Sequence, residues 1–170
     1  MSQLTVATAG SLSTLSARDA AQAIDRLISH ERALERVQKL DVRSLYGLVQ
    51  RAGVDQATEL IELASAEQVQ GVLDFDCWNR DRLDADRFSH WLGILLSASD
   101  DAVERWFAGL DLEPLVVWLR ERATVLLCEE DRDALDMLEA PTLTSPDGVY
   151  AVVLGDDEQA ATLIRLLLDR

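Results

Sequence analysis

The sequence predicts a mainly α fold, an irregular right-handed superhelix of short stacked helices with a small β-hairpin near the C-terminus. Three observations lead there. An apolar triplet spaced i, i+3, i+4 recurs along the chain, the steps between triplets are short, and break signals fall between them. The triplets are Leu45/Leu48/Val49, Ala57/Leu60/Ile61, Val69/Val72/Leu73, Phe88/Trp91/Leu92, Val103/Trp106/Phe107 and Leu115/Trp118/Leu119. Each places three side chains on one face of a helix. Successive triplets are 12, 12, 19, 15 and 12 residues apart. At about 100° per residue, a twelve-residue step turns the apolar face by about 120° in an unbroken helix. Such a stripe would wind around a rod and face no single core. The helices must therefore be short, must change direction, and must stack to bury enough apolar area.

Taken in order, Ser16–Ser29 and Glu31–Leu40 read as two helices, the first carrying a further triplet at Ile24, Leu27 and Ile28. Gly53-Val54-Asp55 separates the Leu45 and Ala57 units. Ala64-Ser65 precedes the Val69 unit, where Ser65 and Gln68 fit a capping box. Asp84 or Asp86 can cap the Phe88 unit and Asp100 or Asp101 the Val103 unit. Leu110-Asp111-Leu112-Glu113-Pro114 restarts a helix with Pro in its first turn. After Cys128 the character changes: Glu129–Glu139 holds six acids and one Arg, and reads as a solvated helix or loop. Thr142-Leu143-Thr144, a Ser145-Pro146-Asp147-Gly148 turn and Val149–Leu154 then read as a hairpin. Acids at 156–158 lead into a last apolar helix reaching Leu168. We expect three segments. Residues 1–15 form a loosely ordered start and 16–128 the short-helix domain; 129–170 pack on that domain as acidic segment, hairpin and terminal helix. The apolar final helix ends two residues before the chain does, which suggests the N-terminal part of a longer protein.

Charge narrows the function classes. Residues 1–52 carry seven basic and five acidic side chains, whereas 53–170 carry nine and twenty-six, giving a net charge of −15. That field repels phosphate backbones and anionic membrane surfaces, so neither nucleic acid nor membrane is an expected partner. No apolar run reaches the roughly 20 residues of a membrane-spanning helix, and Met1–Ser16 lacks the cationic start of a signal peptide. Two cysteines, Cys77 and Cys128, make no disulfide framework. A cytoplasmic location is expected.

The run from Leu45 to Val125 resembles the intracellular N-terminal domain of the MgtE magnesium transporters. In that family short Leu-rich helices coil into a superhelix through Leu-Asp-Pro-Glu-type corners. Leu110-Asp111-Leu112-Glu113-Pro114 is similar to such a corner, with the Pro displaced. Val69–Trp78 followed by Leu83–Leu96 also resembles uncharacterised bacterial proteins that carry an MgtE-N-like region without the transporter. The resemblance covers roughly half of the chain. It implies a magnesium-responsive regulatory domain, although no sensing acid of that family matches a position here one-to-one, and neither the paired regulatory modules nor the pore is visible.

The densest carboxylate stretch, Asp74, Asp76, Asp81, Asp84 and Asp86, is where a hard cation such as Mg²⁺ would find oxygen ligands. It does not fit a calcium loop, because Asn79 stands where Gly is needed and Ala85 where Glu is needed. Arg80, Arg82 and Arg87 offer local neutralisation, so capping and surface ion pairs are the competing reading. Trp78, Trp91, Trp106 and Trp118 recur every 12–15 residues. Exposed, they would line a partner groove; in register with the triplets, they are expected to fill helix seams. His30, His90 and the cysteines show neither a Cys–His signature nor zinc-ligand spacing, and no phosphate loop or nucleophile elbow is present. No catalytic residue and no cofactor other than Mg²⁺ is indicated. The expectation is a non-enzymatic interaction or regulatory module of a bacterial protein, meeting a protein partner or further domains of its own chain, with a homo-oligomer left open. The alternatives are a Mg²⁺-responsive regulatory domain and an enzyme whose carboxylate site the sequence does not reveal.

Overall fold

Three helices of the first half start on Ser16, Asp41 and Ser65, whose side chains accept a backbone N–H, and none of the helices there exceeds 12 residues. The computed structural model describes residues 16–131, 133, 135, 142–155 and 157–168. The chain divides into two units: one holds the described residues up to Trp78 together with Ser97–Leu110, the other Asn79–Leu96 and the described residues from Asp111 onward. The expected boundary at residue 128 falls inside the second.

In the first unit, Ser16 caps α1 (Ala17–Ile28) by accepting the Asp19 N–H. After α2 (Ala33–Gln38), Asp41 caps α3 (Val42–Ala52) through the Ser44 N–H at 3.0 Å. Gly53, at φ 86°, both ends α3 and opens α4 (Val54–Glu62), a conformation that a residue with a Cβ rarely adopts. The expected capping box opens α5 (Ala66–Cys77): the Ser65 hydroxyl accepts the Gln68 N–H while Gln68 Oε1 accepts the Ser65 N–H. α1 packs on α3 and α4, and α3 on α4 and α5. Gly71 permits that last crossing, since a Cβ there would lie 2.6 Å from Val42 Cγ1. Ala20, Ile24, Leu45, Val49, Leu60 and Leu73 are among the side chains buried between these helices. Each fully buried aliphatic side chain contributes about 1.5–3 kcal/mol.

The segment Ser97–Leu110 closes this unit with one more helix, Asp100–Phe107, which packs on α5. Its cap position is Ser99, not Asp100 or Asp101, and the two acids occupy the first turn, where they favour the helix dipole. Polar bonds sew it to the end of α4. Trp106 Nε1 donates to Ala64 O at 3.0 Å, Arg105 donates to the Ala64 and Glu62 carbonyls, and the Ser99 N–H donates to Glu62 Oε1 at 3.1 Å.

Following α5, a ribbon of β1 (Trp78–Asn79) and β2 (Arg82–Leu83) turns at Arg80, φ 61°. Asp84 then opens α6 (Ala85–Leu96) by accepting the Arg87 N–H, as the sequence suggests. Counting the Asp100–Phe107 helix as α7, the second unit continues with α8 (Glu113–Leu119), β3 (Ala123–Leu127), β4 (Thr142–Thr144), β5 (Tyr150–Leu154) and α9 (Glu158–Leu168). Trp118 anchors α8 on α6. Its ring lies 6.1 Å from Phe88, and its Nε1 donates to Ser89 Oγ at 2.8 Å. The Arg122 guanidinium covers the indole at 4.4 Å and pairs with Asp157 at 3.2 Å. Asp157 in turn accepts the Gln159 and Ala160 N–H groups at the start of α9, which packs on α6.

The mainly α fold with a small antiparallel sheet near the C-terminus is as expected. The expected hairpin is β4–β5, turning at Gly148 (φ 72°) with the Ser145 N–H donating to Tyr150 O. It is widened by β3, giving the order β3-β5-β4. Sequence reading carries the helical run through to Val125; instead Ala-Thr-Val-Leu-Leu pairs with β5, where its β-branched residues suit the pleat. The expected acidic helix or loop at 129–139 lies mostly outside the described residues, as does the expected loose start at 1–15. No helix among the described residues is long and apolar enough to cross a membrane.

Candidate functional site

Three of the five aspartates of the acidic stretch have separate partners. Asp74 accepts from Gln70 Nε2 at 2.8 Å along its own helix, and Asp76 accepts from Tyr46 Oη at 2.7 Å. Asp84 caps α6 and pairs with Arg87 at 3.5 Å, while Asp81 and Asp86 are exposed. Asp74 and Asp76 belong to the first unit, Asp81, Asp84 and Asp86 to the second. Among the described residues no group of three or more His, Cys, Asp or Glu side chains is arranged to hold a metal ion.

The tryptophans fill seams. Trp91, Trp106 and Trp118 are buried and Trp78 is half-buried, so no groove of exposed indoles forms. Every triplet residue from Leu45 onward is buried except the half-buried Leu119, whereas in the earlier triplet only Ile24 is buried and Leu27 and Ile28 are half-buried. Cys77 is buried, Cys128 half-buried, and no disulfide joins them. His90 is exposed, and His30 Nδ1 accepts the Arg32 N–H at 3.0 Å.

Three carboxyl groups are displaced from the usual carboxylate range, all downward. The Ser44 hydroxyl, and then the Ser44 N–H, lower Asp41; the Ser145 hydroxyl, and then the Val149 N–H, lower Asp147; Lys39 foremost lowers Glu35. Asp41 and Asp147 are held ionised by the helix end and the turn that they organise, and Glu35 by its Lys39 and Arg32 neighbours. That is the opposite direction from a carboxyl group tuned to donate a proton.

What the surface offers is apolar. Six large hydrophobic side chains of the second unit are exposed: Leu112, Val116, Val117, Val125, Val149 and Tyr150. α8 is apolar on both sides. Pro114, Leu115 and Trp118 face inward, while Val116 is 61% exposed and Leu112, four residues before it, 55%. Sequence reasoning assigned the inward triplet and missed the outer face. The signal was present, because no polar residue separates Pro114 from Leu119. In the first unit, Phe75 is also exposed, with the Arg43 guanidinium 5.9 Å above its ring and Tyr46 at 6.2 Å.

A family model described as "Family of unknown function (DUF6178)" matches residues 2–170. No curated protein matches the chain, and no solved structure does.

Proposed function

The chain belongs to the DUF6178 family of unknown function, and we propose that it is a non-enzymatic interaction module acting in the cytoplasm, with the outer face of α8 as a protein-binding surface. One observation carries the reading: Val116 and Val117 are exposed on a seven-residue helix, and Leu112 at its cap, while the other side of the helix is already packed. A solvated surface helix ordinarily turns charged or polar residues outward. Exposed apolar clusters of this kind are characteristic of surfaces that a partner covers. The Mg²⁺-responsive alternative, which the MgtE resemblance implies, draws no support from aspartates that form no cluster of three or more among the described residues.

The test compares wild type with a Leu112→Glu/Val116→Lys double variant. Both positions are exposed, so the variant should keep its circular dichroism spectrum and melting temperature. A partner captured from the source cells, purified and titrated back by calorimetry should bind the wild type and lose at least about tenfold in affinity to the variant, a loss of about 1.4 kcal/mol. Equal affinity for both proteins would refute the reading.

A further inference from the structure

β3 lies at one edge of the sheet, and its ladder reveals which way each peptide group points. In an antiparallel pair, alternate residues exchange hydrogen bonds with the neighbour while the residues between them turn N–H and C=O outward. The Cys128 N–H donates to Val149 O at 2.9 Å, and the Gly155 N–H donates to Arg122 O at 3.5 Å. With Ala123 opposite Leu154 and Leu127 opposite Tyr150, these bonds set the phase. Thr124 and Leu126 bond to β5, whereas Ala123, Val125 and Leu127 face away from it.

At Leu127 the outward side is closed. Its N–H donates to Asp131 Oδ2 at 2.9 Å, and its carbonyl accepts the Asp131 N–H at 2.8 Å. At Ala123 and Val125, nothing among the described residues pairs with the outward groups. Two donors and two acceptors therefore stand in line, about 7 Å apart along the strand. Exposed edges are usually blunted by Lys, Pro, a bulge or an inward-pointing charge. Ala123–Leu127 contains no charged residue and no Pro. The Val125 side chain is 61% exposed beside Val152, on the same face as the exposed Tyr150.

Charge and register select the occupant. Glu129 and Glu130 follow the strand and are exposed, while before it Glu121 stands between the exposed Arg120 and the half-buried Arg122, which pairs with Asp157, on a chain of net charge −15. A second copy pairing antiparallel about Val125 would set Glu121 against Glu129 of its partner but Arg120 against Glu130, so these charges neither favour nor bar it. It would, however, oppose Ala123 to Leu127, whose peptide groups are already taken. We propose that the open edge at Ala123 and Val125 binds an extended, cationic segment of a partner protein by strand addition, with basic residues flanking a short alternating apolar core. The proposal rests on the interaction reading above but not on the α8 face.

The probe is a blocked synthetic peptide with a Val-Thr-Val core and two lysines at each end, titrated into the ¹⁵N-labelled full chain. Saturable shifts should concentrate at Ala123–Leu127, and exchange of the Val125 amide should slow at least about tenfold. A peptide with glutamates in place of the lysines should bind at least about tenfold more weakly. One N-methylated at its core amides should give no protection at Val125. Val125→Pro removes an outward N–H without touching the ladder to β5, and should abolish binding while the spectrum stays dispersed. Val125→Lys keeps the backbone intact and should weaken the lysine peptide by repulsion, which covers the case where the proline disturbs folding. Leu112→Glu/Val116→Lys should bind the peptide as wild type does. Shifts scattered over acidic residues without protection at Val125, or equal binding of the lysine and glutamate peptides, would overturn the proposal. So would Val125 protection that rises with protein concentration alone, which would assign the edge to a second copy. If the peptide fails while the α8 variant still loses its partner, only the strand-addition proposal falls.

Discussion

Gln68 ties the start of α5 to the Val37–Leu40 stretch, and replacing it with Met tests how much of the first unit depends on that. The side chain is 4% exposed. Its Nε2 donates to Val37 O at 2.8 Å and to Leu40 O at 2.7 Å, and its Oε1 accepts the Ser65 N–H at 3.0 Å. Gln68→Met preserves length and volume but removes all three bonds, leaving Leu40 O and the Ser65 N–H without that partner, while Val37 O keeps the Leu40 N–H at 3.0 Å. Each orphaned group costs about 1–3 kcal/mol when fully buried. Only the Val37 bond is fully buried, and the other two are partly buried, so water recovers part of their loss. The apolar side chain returns roughly 1 kcal/mol by burial. The expected net loss is about 2–3 kcal/mol, a large share of the roughly 5–15 kcal/mol that holds a domain folded. Urea unfolding followed by far-ultraviolet circular dichroism reads it as a lowered midpoint. Gln70→Met, on the exposed side of the same helix, serves as the control and should cost under about 0.5 kcal/mol. If Gln68→Met unfolds within about 0.5 kcal/mol of wild type, the buried amide is not a stabilising latch and the reasoning fails.

Three further predictions follow from the same kind of accounting. Arg122→Lys keeps a charge near Asp157 but gives up the planar stack on Trp118, and should cost about 1–2 kcal/mol in urea unfolding monitored by tryptophan fluorescence; a fully stable lysine variant would show that charge alone matters there. Asp41 has its folded-state pKa depressed by the Ser44 hydroxyl and N–H, so its contribution is present above the unfolded value of about 3.9 and is lost as pH falls through the lower folded value. Asp41→Asn keeps the cap acceptor without the titration, and its acid-unfolding limb below about pH 4 should be shallower; superimposable limbs would contradict this. Mg²⁺ added to about 10 mM should give only weak, non-saturating amide shifts at Asp74, Asp76, Asp81, Asp84 and Asp86, and a saturable curve at any of them would restore the metal reading.

The legible parts of this fold are those whose cause lies within a few residues. The spacing of Leu45, Leu48 and Val49 and its repeats set both the helices and their buried faces. Ser65 and Gln68 announced a capping box, and Gly53 a break that only a positive φ explains. The Pro-Asp-Gly turn placed the β4–β5 hairpin. What escaped depends on partners far along the chain. Ala123–Leu127 is a strand because β5, about thirty residues later, is there to pair with it, and nothing local prefers that over a helical continuation strongly enough. The long-range bonds of Gln68 to Val37 and Leu40 are equally silent in sequence, since a buried amide can find its carbonyls anywhere. The acidic stretch is hard to read for a related reason. Density along a chain is not proximity in space, and neighbouring aspartates on a helix and at a cap point toward different partners.

The return of Ser97–Leu110 to the first unit has a practical and a kinetic meaning. A fragment ending at Trp78 would lack the indole that satisfies Ala64 and the guanidinium that satisfies Glu62, and would leave the apolar side of α5 wet. During synthesis, that half cannot finish folding until residue 107 has left the ribosome, by which time all of α6 has already been made. The gene therefore has no cut point between the two halves that leaves the earlier one whole.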